Sequence, residues 1–76
     1  MNSESRIQIN KAIKTLTEAN RAAFLLRDVE GLSTRDTAEV LDFSESAAKV
    51  RLMRARLQLR EELTTFFADK VMKETV

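Results

Sequence analysis

The sequence predicts an all-α fold: four helices, the last two forming a helix-turn-helix without a wing. Three observations carry this. Ser44 to Leu63 contains no glycine or proline, and Ala48, Leu52, Ala55, Leu59 and Leu63 recur at steps of four, three, four and four. Such spacing stacks side chains on one helical face. Gly31, the only glycine, closes a second helical stretch, as a left-handed residue just past a helix end does. Thr17, Ser33 and Ser44 each stand where a side-chain oxygen can cap the first turn of a helix.

In chain order, 1–5 is polar and expected to fray. The first helix is predicted over about 6–16, with Ile7, Ile9, Ala12, Ile13 and Leu16 as its apolar set. The second runs over about 18–30 behind Thr17, with Ala22, Leu25, Leu26 and Val29 as the buried stripe. Phe24 lies off that stripe, free to pack on the first helix or stay partly exposed. The third, about 34–41, follows Ser33, which forms with Asp36 a weaker version of the capping box. Ala38, Val40 and Leu41 supply its contacts. Asp42 and Phe43 make the turn, because Asp tolerates a left-handed conformation and Phe43 can drop into the core. The fourth helix is predicted over about 45–66, with Phe66 continuing its seam and Phe67, Val71 and Met72 either extending it or fraying. All of 1–76 reads as a single domain.

Seventy-six residues build one thin core. The absence of cysteine excludes disulfides and thiolate metal sites, and the absence of histidine removes the commonest general base and nitrogen ligand. No pair of acids stands in a catalytic setting, so neither an enzyme nor a metal or other cofactor is expected. Without a signal-like or membrane-length apolar run, the expected location is cytoplasmic, with no membrane partner and no small-molecule substrate.

The net charge of +1 is unevenly spread. Residues 1–43 carry six basic and seven acidic side chains, and 44–76 carry seven and five. Lys49, Arg51, Arg54, Arg56 and Arg60 follow one another with no acid between Glu45 and Glu61. A local basic run on a long helix, preceded by a short helix and a three-residue turn, is the arrangement in which a second helix enters the DNA major groove. A solvated basic face on a bundle helix is the competing reading.

The run FLLRDVEGLSTRDTAEVLDFSESAAKVRLMRARLQLREEL resembles region 4 of bacterial sigma factors, most of all the extracytoplasmic-function (ECF) group of the sigma-70 family. FLLRDVEGLS at Phe24–Ser33, the helix-turn-helix core, and KVRLMRARLQLR at Lys49–Arg60 carry the likeness, which covers about Leu16 to Leu63. The resemblance implies a four-helix region 4 domain that reads the −35 element of double-stranded promoter DNA. It also implies docking on the β flap of the RNA polymerase core and capture by an anti-sigma factor. Carried over by position, the DNA-binding residues are Glu45, Ser46, Lys49, Val50 and Arg54, with Arg35 approaching phosphates from the preceding helix. Helical geometry agrees in part: with Ala48 facing the core, Ser46, Val50, Met53 and Leu57 point outward, flanked by Lys49 and Arg54. Lysine and arginine bond phosphates or guanine edges, and Val50 offers apolar contact to a thymine methyl. Glu45 serves equally well as an acid at a helix start. Arg51 and Arg56 are expected to pair with acids such as Asp28 or Glu30, and Arg60 to stay on an exposed rim.

Four positions depart from the family pattern. Thr17 replaces a proline, Thr37 an isoleucine, Ala48 a valine and Asp42 a turn glycine. Thr37 and Ala48 shrink the contact between the motif's two helices, loosening it by about 1–2 kcal/mol at ~0.8 kcal/mol per methylene. Nothing corresponds to the region 2 domain that opens promoters, so the chain is expected to be part of a longer sigma factor or a small free-standing regulator. Two alternatives remain. One is a LuxR-like helix-turn-helix regulator, dimeric through Met53, Leu57 and the tail. The other is a module that binds polymerase or an anti-sigma factor without reading DNA.

Overall fold

The computed structural model describes the backbone of residues 3–74 and the side chains of residues 3–68. It is all-helical: α1 (Ser3–Thr15), α2 (Glu18–Phe24, continuing as a π-helical turn, Leu25–Val29), α3 (Thr34–Leu41) and α4 (Glu45–Glu74). The thirty residues of α4 make a rod of about 45 Å, nearly the length of the 49 × 19 × 17 Å molecule. All three earlier helices pack on it, α2 most extensively. Among the described residues, no helix is long and apolar enough to cross a membrane.

The three caps form as predicted. Thr17 accepts from the Asn20 N–H, Ser33 from Asp36 and Ser44 from Ala47, at 3.3, 3.0 and 3.1 Å. Gly31 has φ 85° and Asp42 φ 58°, both left-handed. At Asp42 the helix end closes with Phe43 N–H donating to Ala38 O and Asp42 N–H to Glu39 O, which satisfies two terminal carbonyls. The turn from α3 to α4 is three residues, Asp42 to Ser44.

Helix ends differ at two places. α1 starts at Ser3 rather than Arg6, and Ser5, expected in a frayed end, is buried. α4 runs to Glu74, past the predicted 66. Phe66 is half-buried, edge-to-face with Phe67 at 4.9 Å between ring centroids. The side chains of Val71 and Met72 lie outside the described residues.

The core is narrow. Ala12, Leu16, Ala23, Ala38, Ala48, Leu52, Ala55 and Leu59 are its buried apolar residues. Five alanines among eight let helix axes approach closely, because interaxial distance follows the side chains at the crossing. Ile13, Phe24 and Leu63 close over the α1–α4 part, so Phe24 takes the packed alternative. α1 is also tied to α4 by polar contacts: Thr15 Oγ1 lies 2.9 and 3.0 Å from the Glu62 carboxylate oxygens, and Gln58 Nε2 donates to Thr15 Oγ1 at 3.2 Å.

Several apolar residues expected inside are outside. Ile7, Leu25, Val29 and Val40 are exposed. On α2 the inward stripe is Asn20 and Ala23, both buried, with Phe24 and Arg27 half-buried beside them, which places Leu25 on another side. Two polar residues on that stripe disguise it in the sequence. The π turn, with Glu30 N–H donating to Leu25 O, then adds a residue to the turn and rotates Val29 further from the predicted face. On α3 the inward position next to Ala38 is Thr37, not Val40.

Candidate nucleic-acid interface

The two faces of α4 define the site. Ala48, Leu52, Ala55 and Leu59 are buried against α1, α2 and α3. At 100° per residue the opposite side carries Ser46, Val50, Met53 and Leu57, and all four are exposed. The bundle therefore presents the outer side of α4 to solvent and leaves it unobstructed from its first turn. Ser44 fixes that first turn through its bond from Ala47 N–H, with Ser46 Oγ 3.5 Å from Ser44 Oγ.

Each of the six residues assigned to DNA by the resemblance is exposed: Glu45, Ser46, Lys49, Val50 and Arg54 on the first three turns of α4, and Arg35 in the first turn of α3. Lys49 and Arg54 stand on either side of the Ser46–Val50 stripe. Glu45 leaves the stripe's centre and sits in the first turn, where its carboxylate complements the helix dipole. An open depression of about 460 Å³ runs beside the outer face. Thr34 of α3 and Lys49, Met53, Arg56, Leu57 and Arg60 of α4 line it, with Leu52 at its base.

The basic run divides into held and unheld side chains. Arg56 donates from Nε and Nη2 to the two carboxylate oxygens of Asp28, at 2.7 and 2.5 Å. This fork binds the π turn of α2 to the middle of α4. The hydrogen bond to Arg56 holds the Asp28 carboxyl below its usual 3.8, partly opposed by burial, and the same bond raises Arg56. Arg56 thus takes the expected structural role. Among the described residues Arg51 pairs with no acid: its guanidinium lies over the Phe43 ring, 5.8 Å from the centroid. It pins the turn residue to α4 instead. Among the described residues, Lys49, Arg54, Arg60 and Arg35 form no ion pair. Their charges face solvent.

The geometry adds Thr34 to the predicted surface, and Met53 stands outward as expected. Met53 lies one helical turn beyond Val50, and the spacing alone places it there. Thr34 reaches the depression only because α3 crosses α4, which no local pattern reveals. Chemically, the face offers cations and helix-start N–H groups for phosphates, a hydroxyl and a carboxylate for base edges, and an apolar centre.

The Sigma-70, region 4 family profile matches residues 6–59, which takes in α1 to α3 and the outer face of α4. The chain is 40% identical over 60 residues to the RNA polymerase sigma factor SigZ of Bacillus subtilis, covering 79% of this chain and 34% of that protein. It is also 40% identical over 60 residues to the RNA polymerase sigma-E factor of Streptomyces antibioticus, covering 79% and 33%. The ECF RNA polymerase sigma factor SigM of Mycobacterium tuberculosis is 38% identical over 56 residues, covering 74% and 29%. The matched segment spans about a third of the length of these curated relatives. With its helix-turn-helix intact and the family profile matched across it, the chain belongs to the Sigma-70, region 4 family.

Proposed function

We propose that residues 1–76 act as one region 4 domain that binds double-stranded promoter DNA at the −35 element, in the service of transcription initiation by RNA polymerase. The start of α4 lies in the major groove. Lys49, Arg54 and Arg35 contact phosphates or guanine edges, Ser46 and Glu45 meet base edges, and Val50 makes apolar contact. The observation that carries this reading is the outer face of α4: exposed at Ser46, Val50, Met53 and Leu57, edged by cations that form no ion pair among the described residues, in a segment matched by the region 4 profile. The role is one of binding, and the place is the cytoplasm, where promoter DNA and polymerase meet.

Docking on the β flap of the polymerase core belongs to the same proposal. Leu25, Val29 and Val40 are exposed on helices that pack against the inner side of α4. They give a partner such as the flap, or an anti-sigma factor, apolar surface that DNA on the outer side leaves free. The relatives named as RNA polymerase sigma factors support this assignment of partners.

Fluorescence anisotropy with a labelled promoter duplex tests the DNA reading. Binding should weaken steeply as salt rises, and Lys49→Ala should weaken it for all sequences while reducing the slope of log K against log salt by about one. An unchanged slope in Lys49→Ala removes Lys49 from the DNA surface.

A further inference from the structure

The centre of the outer face is apolar where a phosphate-binding surface alone would be polar. Val50 is 39% exposed and Met53 61%, and they lie between Lys49 on one side and Arg54 on the other. Neither closes a core, and both stand on a rigid helix whose back is buried from Ala48 to Leu59. An exposed apolar pair inside a cationic frame fits an occupant that is anionic at its edges and apolar at its middle. The major groove over thymine has that character: phosphates on the rims and a C5 methyl on the floor.

Resting on the DNA reading above, we infer that Val50 and Met53 read adjacent thymine methyl groups, so the site preferred by this chain carries 5-methylpyrimidines at neighbouring steps. Three residues along a helix advance about 4.5 Å. That is close to the ~3.4 Å rise between base pairs, and the two side chains differ by only about 60° around the axis. Each therefore meets the floor of the groove one step from the other. Cytosine at either step offers an N4 amine without a methyl, for which Val50 has no acceptor and Met53 only a weak thioether sulfur. Discrimination then comes from desolvation: a matched methyl removes apolar surface from water on both partners, and a mismatched amine loses its water without a replacement. Met53, flexible and polarizable, adapts to small shifts of its methyl, whereas Val50 is stiff about χ1 and demands register.

The test uses the 76-residue chain and synthetic DNA. A duplex is selected from a randomised pool by the chain, then remade with uracil for thymine, which removes only the C5 methyl. One contacted methyl is worth about fourfold in affinity, and two about fifteenfold. Uracil DNA should bind weaker by that factor, and 5-methylcytosine at a contacted cytosine position should bind tighter than cytosine. In the double variant Val50→Thr, Met53→Ala the thymine-to-uracil ratio should fall toward one with the salt slope unchanged. Both positions are exposed, so these variants leave the core intact. Equal affinity for thymine and uracil duplexes overturns the inference while leaving the DNA reading standing. Failure to bind any duplex at low salt overturns the DNA reading, and the inference with it. Self-association of the free chain that disappears in the double variant, with no uracil effect, assigns the apolar pair to a second copy instead.

Discussion

Thr37 is 2% exposed on the inner side of α3, and its hydroxyl has no hydrogen-bond partner among the described residues. A buried unpaired hydroxyl costs about 1–3 kcal/mol. Thr37→Val keeps the shape and removes the polar atom, so it should stabilise the domain by about 1 kcal/mol, read as a higher urea midpoint at unchanged m-value. A lower midpoint would mean that the hydroxyl is bonded in solution. The same residue bears on the loosened helix pairing expected from the sequence. Thr37 and Ala48 are both enclosed, so the smaller side chains are accommodated by close approach. Asp28 makes a second residue-scale prediction. Its carboxyl titrates below 3.8 in the fold because of Arg56, so the pair's contribution is present above the unfolded pKa and is lost as pH falls through the lower folded value. Since the Arg56 side chain is 52% exposed, that contribution is at most about 1 kcal/mol after solvent screening. Asp28→Asn should lower stability by no more than this at pH 7 and flatten the acid limb below about pH 4, as followed by thermal melts across pH.

At the scale of elements, the α3–α4 turn depends on one left-handed residue. Asp42 holds φ 58°, ψ 41° to close the end of α3. Glycine adopts this conformation without a Cβ penalty, asparagine and aspartate tolerate it, and alanine does so least readily. Melting temperatures should therefore rank Asp42→Gly at or slightly above the parent, by about 0.5 kcal/mol, and Asp42→Ala below it by about 1 kcal/mol. Parity of all three would mean that the turn relaxes to another geometry. This turn was legible from sequence because its signals are local: a capping serine, an aspartate and a short spacing. The seam of α4 was legible too, because four of its five stacked residues are fully buried and Leu63 closes over α1. The face of α2 was not. Asn20 and Arg27 share the inward stripe with Ala23, and the π turn changes the period at Leu25, so a search for apolar residues at 3.6 spacing selects the wrong side. For the candidate site, the exposed positions on α4 followed from the helical period. The fate of each arginine did not. Arg56 finds Asp28 across 28 residues of sequence and Arg51 finds a ring in the turn, and these choices depend on helix crossings.

For the whole molecule, one long helix serves two surfaces. Its inner side assembles α1, α2 and α3, and its outer side stays open with cations at the edges. Under the proposed reading, this division lets DNA and polymerase be engaged together without competing for residues, and it makes the two roles separable by mutation. An NMR titration of the isotope-labelled chain with an unlabelled promoter duplex tests whether the outer side of α4 is the DNA face. Amide shifts should concentrate from Ser44 to Arg54 and at Arg35, with α1 unaffected, and should disappear in the charge-reversed variant Lys49→Glu, Arg54→Glu. Shifts confined to α1 and α2, or unchanged shifts in the charge-reversed variant, would contradict a DNA face on the outer side of α4.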